Sequence, residues 1–159
     1  MTKETKTNVM RLLDRAKISY EILNYACEVF TDGLEVARKT GVPPAQSFKT
    51  LVVQGKSHAY YVLVIPTEKE IDLKKAAHYL GEKSVEMIPV KEIQNVTGYI
   101  RGGCSPLGMK KEYRTVIQQE AADYPKIYVS GGRLGSTVCL APGDLLAAAH
   151  AEYADVTIA

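Results

Sequence analysis

Lys49 stands in the run Phe48–Lys49–Thr50–Leu51–Val52–Val53, a cation at the mouth of an otherwise apolar, β-rich segment. A lysine entering a core is costly unless it is paired or used in chemistry. Period-two alternation offers another reading, in which Lys49 faces solvent while Phe48, Thr50 and Val52 face the other way. The residues alone leave the two open. Two glycine-rich stretches could complete a site around it. Arg101–Gly102–Gly103–Cys104–Ser105–Pro106–Leu107–Gly108 and Ser130–Gly131–Gly132 each set a Gly-Gly pair near a serine. Such pairs allow close backbone approach, and their N–H groups can cradle a carbonyl oxygen or an ester; two ordinary turns would read the same way. The conjunction of both pairs with Lys49 and a basic surround describes a pocket lined by backbone donors and small side chains, with no strong base.

Other chemistries find less support. A Cys104 thiolate near Arg101 and Lys110 would have a lowered pKa, but no histidine base is identifiable beside it, and a small apolar role suits it better. His58 falls in a strand, His78 and His150 on helices, and none accompanies an acid and a nucleophile in a familiar order. The chain has no HExxH, no HxxxH and no cluster of acids, so no metal is expected. The 102–108 loop lacks the Lys-Ser/Thr ending of a P-loop, and residues 130–135 do not open a periodic helix as a dinucleotide fingerprint should.

The elements that must position these residues can be read in outline. Thr7 caps a helix with Val9, Leu12, Leu13 and Ala16 on one face, and Ile18, Tyr20 and Ile22 alternate as in a strand. A second helix is predicted from about Thr31 or Asp32 to Lys39, stopped by Gly41 and Pro43–Pro44. Residues 48–53 and 58–65 form a hairpin through Gln54–Gly55–Lys56–Ser57. Asp72 caps a helix that Gly81 closes. Residues 84–88 read as a short strand, and Pro89 opens a helical turn through Ile93. Residues 113–117, 126–130 and 136–141 read as strands, and Pro142–Gly143–Asp144 starts a last helix. Strands that adjoin through tight turns predict an α+β fold with a mixed, largely antiparallel sheet and flanking helices.

The bulk numbers bound the rest. At 159 residues, 46% hydrophobic and 24% charged, the sequence reads as one domain over 1–159, with no repeat and no linker. The start reads as too charged for a signal peptide, and no apolar run approaches the roughly 20 residues of a membrane span. Three cysteines, an odd number without CxxC spacing, point to a reducing cytoplasm. The net charge of +2 is too small for a protein that grips a long duplex. Residues 101–133 carry six basic side chains against three acidic ones, +3, and the remainder −1. That asymmetry suits a small anionic ligand, or the tip of a large one.

Five blocks, Phe48–Val53, Asp72–Gly81, Val96–Gly108, Ile127–Gly132 and Leu140–Leu146, in this order and at these spacings, resemble the YbaK/EbsC family of aminoacyl-tRNA deacylases. These are free-standing relatives of the editing domain inserted in bacterial prolyl-tRNA synthetases, and the resemblance runs from about residue 5 to 157. It implies a barrel-like sheet with flanking helices, deacylation of mischarged tRNA, and no cofactor. Lys49 would be the pocket lysine that orients the substrate ester, followed by Thr50. Gly102, Gly103 and Ser105 would form one wall, Ser130, Gly131 and Gly132 another, with Tyr25 at the rim and Phe30 near the place of a pocket-wall aromatic. The Gly-Gly form of the 102–108 loop is similar to the branch that clears cysteine from tRNA(Pro). There the cysteinyl thiol attacks its own ester, which explains the absence of a protein base. The implied partners are the tRNA acceptor end and a prolyl-tRNA synthetase. Two other readings stay open: a sister deacylase that removes alanine or serine with an activated water, and a non-catalytic module that holds an aminoacyl or anionic ligand.

Overall fold

A computed structural model of the chain describes residues 6–24, 38 and 40–158. The predicted helix at 31–39 lies almost wholly outside the described residues, as do Tyr25, Cys27 and Phe30. Helix α1 spans Asn8–Arg15, and the Thr7 Oγ1 accepts the Met10 N–H at 3.3 Å. The side chains it buries are Val9, Met10 and Leu13, with Leu12 at the margin. The strand expected to include Ile18 and Tyr20 begins later, as β1, Glu21–Asn24. Tyr20 is drawn back to α1, where its hydroxyl donates to Asp14 Oδ1 at 2.9 Å.

The remaining elements follow the sequence closely. Strands β2 (Phe48–Gly55) and β3 (Tyr60–Pro66) form the expected hairpin, with His58 at φ 74° in its turn. Helix α2 (Leu73–Leu80) is capped by Asp72 Oδ1, which accepts the N–H groups of Lys74 and Lys75, and ends on Gly81 at φ 73°. Strand β4 (Val85–Met87) precedes a helical turn that runs beyond Ile93 as α3, Ile93–Thr97. Then come β5 (Arg114–Gln118), β6 (Ile127–Ser130), β7 (Ser136–Leu140) and α4 (Pro142–Ala148). The sequence reading lacked β8, Glu152–Ala154.

The α+β class and the mixed, largely antiparallel pairing hold, but the wrapping is that of two sheets and no closed barrel forms among the described residues. One sheet has the order β4-β2-β3-β5-β8, with β3/β5 and β5/β8 parallel; the other, β1-β7-β6, is antiparallel throughout. They meet where Ser47 and Tyr128 form a parallel bridge. The main core lies between them and takes Phe48, Val62, Val64 and Ile117 from one sheet, Ile127, Val129, Val138 and Leu140 from the other, with α1 and Leu145 of α4. A second cluster covers the opposite face of the five-stranded sheet, where Val53, Leu63, Ile65 and Val116 pack on Ala76, Ala77 and Leu80 of α2. β3 is therefore buried on both faces, which explains why its sequence is continuously apolar and not alternating. No described helix is long and apolar enough to cross a membrane.

Candidate active site at the junction of the sheets

The junction decides which residues share a face. At Ser47↔Tyr128 the two chains run parallel, and Lys49 and Ser130 each lie two residues further on. By strand alternation both emerge on the face opposite the main core. Ser130 pairs with Thr137, and Thr137 with Leu23, so these three form a row across the three-stranded sheet. On its other side Lys49 pairs with Ile65, whose side chain belongs to the second cluster. Lys49 is half-buried here, neither on an open solvent face nor in the main core. Thr50 emerges on the opposite face of β2 from Lys49, alongside Phe48 and Val52. Its Oγ1 is buried with no hydrogen-bond partner among the described residues.

The 98–108 loop is built from local constraints. Helix α3 stops at Gly98, φ 85°, and the Thr97 Oγ1 donates to Ile93 O at 2.7 Å and accepts the Tyr99 N–H at 3.0 Å. A tight turn follows, closed by Gly103 N to Ile100 O at 3.0 Å, with Gly102 at φ 87°, the position a type II turn reserves for glycine. Ser105 is fully buried, and its Oγ accepts the Leu107 N–H at 3.3 Å. The second loop repeats that device, since Ser130 Oγ accepts the Gly132 N–H at 3.2 Å. In it Gly131 N donates to Ser136 O at 2.8 Å.

The two loops touch backbone to backbone. A Cβ on Gly103 would lie 3.1 Å from Arg133 Cα and 3.2 Å from its carbonyl carbon. A Cβ on Gly132 would lie 2.9 Å from Val9 Cγ2 and 3.5 Å from the Tyr99 ring. The structure thus brings the two glycine loops together, Gly103 against the Arg133 backbone and Tyr99 against Gly132, with Ser105 buried within the first loop. The Gly103, Gly131 and Gly132 amides are engaged within the loops. The Gly102 amide has no acceptor among the described residues.

Sequence reasoning missed Tyr99 and Ser136. The Tyr99 hydroxyl donates to Leu107 O while its ring meets Gly132, so one side chain ties the two loops together. Ser136 Oγ sits 2.7 Å from where a Gly131 Cβ would be and is itself buried without a partner among the described residues. The available signal was a tyrosine directly after the helix-ending Gly98 and a serine opening β7.

No described side chain is primed as a nucleophile. Burial pushes the Cys104 thiol up to about 11, against a smaller opposing effect of its hydrogen bond with Thr97. Burial first, then the charge of a Cys104 thiolate, pushes Tyr99 up to about 12. His58 and His78 are exposed, and His150 pairs with Glu112 at the surface.

Residues 31–148 match the model of the aminoacyl-tRNA editing domain. Over 155 residues the chain is 41% identical to a protein of Enterococcus faecalis provisionally named Cys-tRNA(Pro)/Cys-tRNA(Cys) deacylase EbsC, covering 97% of this chain and 94% of that one. It is 29% identical over 98 residues, 62% of its length, to the proline–tRNA ligase of Thermosipho africanus, of which that segment is 17%. Its fold matches the crystal structure of a protein described as a trans-editing enzyme for prolyl-tRNA synthetase, with a TM-score of 0.82, 22% identity and coverage of 98% and 100% of the two chains.

Proposed function

Because the chain belongs to the aminoacyl-tRNA editing-domain family, we propose that it deacylates mischarged tRNA in trans, with Cys-tRNA(Pro) as its preferred substrate. The observation that supports this reading is the interlock of the two glycine loops, Gly103 against the Arg133 backbone and Tyr99 against Gly132, beside a Cys104 thiol that burial holds protonated. Such a site can orient an ester and stabilise charge, but its described residues supply no attacking group.

In Cys-tRNA(Pro) the substrate brings the nucleophile. Its sulfur attacks the ester carbonyl carbon, and the bond from that carbon to the ribose oxygen of the terminal adenosine breaks. The thiol proton ends on the released hydroxyl, leaving free tRNA and cysteine as a thiolactone. Lys49 and the Gly102 N–H face the negative charge that develops on oxygen, and preorganised donors of this kind are worth about a hundredfold or more each. Gly103, Gly131, Gly132 and Ser130 shape the walls that hold the ester in line for attack, Ser105 braces the first of them from within its loop, and the family resemblance adds Tyr25 and Phe30. A segment of 98 residues similar to this chain also lies within the proline–tRNA ligase of Thermosipho africanus. That supports prolyl-tRNA synthetase as a partner and the cytoplasm as the place of action.

Deacylation of Cys-, Ala- and Ser-tRNA(Pro) by the wild type and by Lys49→Ala tests the reading. Rapid loss of cysteine alone, reduced about a hundredfold or more in the variant, is the expected result. Preferential loss of alanine or serine would assign the protein to the water-using reaction. No turnover of any ester would leave a binding module.

A further inference from the structure

The charge asymmetry of the sequence has a spatial counterpart. Residues 93–111, which include the first glycine loop, contain Arg101, Lys110 and Lys111 and no acidic residue. Residues 124–143, which include the second, contain Lys126 and Arg133 and no acidic residue. The contact of Gly103 with the Arg133 backbone puts these two acid-free segments side by side. The stem of Lys110 lies over Gly98, its Cγ 3.1 Å from where a Cβ would be, and its N–H donates to Thr97 O at 3.0 Å, which fixes Lys110 at the base of the turn that carries Arg101. Arg101 and Lys110 are exposed and Arg133 half-buried.

Among other surface cations, Lys6 pairs with Asp14, Lys75 with Asp155 at 3.0 Å and Arg114 with Glu152 at 2.7 Å, and Lys126 of the second segment pairs with Glu21 at 3.7 Å. Arg101 and Arg133 also interact within the chain, but a guanidinium has five donors and can serve two partners.

We propose that Arg101, Lys110 and Arg133 form a phosphate-binding rim at the mouth of the site, which receives the backbone of the single-stranded acceptor end of the tRNA. The proposal rests on the deacylase reading and adds to it a division of labour: the junction face holds the aminoacyl ester, and the rim holds the nucleotides next to it. Phosphate contacts position a nucleic acid without reading its sequence. A rim of three cations is short, matching a terminal strand and not a duplex groove. It also accounts for a protein of net charge +2 that handles a large polyanion.

The test is binding of a labelled, uncharged RNA minihelix ending in single-stranded CCA, followed by fluorescence anisotropy between 50 and 200 mM salt. Three single-strand phosphate contacts give a slope of log affinity against log salt of about −2, a loss of roughly 15-fold over that range. In the triple variant Arg101→Gln/Lys110→Gln/Arg133→Gln the slope flattens towards zero. Single variants each remove about 0.7 of it, which keeps the test valid if the triple variant folds poorly. Lys56→Gln, in the turn at the far end of β2, leaves affinity and slope unchanged. Wild-type slopes in the three single variants, or an equal loss in Lys56→Gln, overturn the rim. Because uncharged RNA is the probe, the two readings fail separately. Cation-dependent binding without cleavage of any ester sinks the deacylase and keeps the rim. Cleavage with unaltered binding in the variants does the reverse.

Discussion

With burial pushing its thiol up to about 11, Cys104 is held protonated at pH 7. A free cysteinyl thiol ionises near 8.5. The two candidates for the attacking sulfur therefore separate on the pH axis. If the substrate supplies it, kcat/KM for Cys-tRNA(Pro) rises about tenfold per pH unit and levels off near 8–9; a protein thiol would keep it rising to about 11. Cys104→Ala should accordingly retain deacylation within about twofold. The same burial affects stability in the opposite sense. The folded thiol titrates above its ordinary 9.0, so the unfolded chain ionises first, and the stability this burial supports is lost as pH rises from about 9 to 11. Urea unfolding at pH 8 and pH 10.5 should show a smaller alkaline loss for Cys104→Ala than for the wild type. Ser105 is of the other kind, a buried hydroxyl that braces its own loop. Its replacement by alanine should lower stability by about 1 kcal/mol, seen in the urea midpoint.

Between elements, contact is set by what is missing from glycine. Gly132→Ala places a methyl group against Val9 of α1 at a backbone φ of 96°. It should lower stability by about 1–3 kcal/mol, measured as a drop in Tm of several degrees. Gly103→Ala pushes the first loop off the Arg133 backbone and should reduce kcat/KM at least tenfold with a far smaller change in Tm, which circular dichroism and kinetics together would check. These interlocks also show where sequence reading works. Thr7, Asp72 and Gly81 were legible because a cap is a local event in which side chain and backbone lie within a few residues. Tyr20 was misread because its alternation is real but α1 captures its hydroxyl. β8 was invisible because three residues form a strand only when β5 presents an edge. The glycine pairs were recognisable as loops, whereas their mutual contact depends on how distant segments meet, which no local pattern encodes.

Across the whole molecule, stability should be graded from β3 outward. β3 is covered on both faces and paired on both edges, and its neighbour β5 is locked to the C-terminal segment by Gln118. That buried side chain donates to Glu120 and Asp155 and accepts the Val156 N–H at 2.8 Å. Hydrogen exchange should find the amides of β3 and β5 opening only with global unfolding, and those of the edge strands β1 and β4 opening sooner. Fast exchange in β3 would show that the two sheets do not unfold as one unit. The junction face lies beside this rigid centre, as a site that depends on geometry requires.

The paired use of serine in the two loops has a consequence for selectivity. Ser105 and Ser130 each hold the amide two residues ahead, and Tyr99 ties one loop to the other, all through bonds within the chain itself. The walls are thus a finished mould, and little ordering entropy remains to be lost on binding. A mould of this kind recognises by exclusion: an amino acid is refused because its side chain does not fit, with no reshaping of the loops to admit it. Enlarging the repertoire of such an enzyme would then mean trimming a wall side chain and not loosening a hinge.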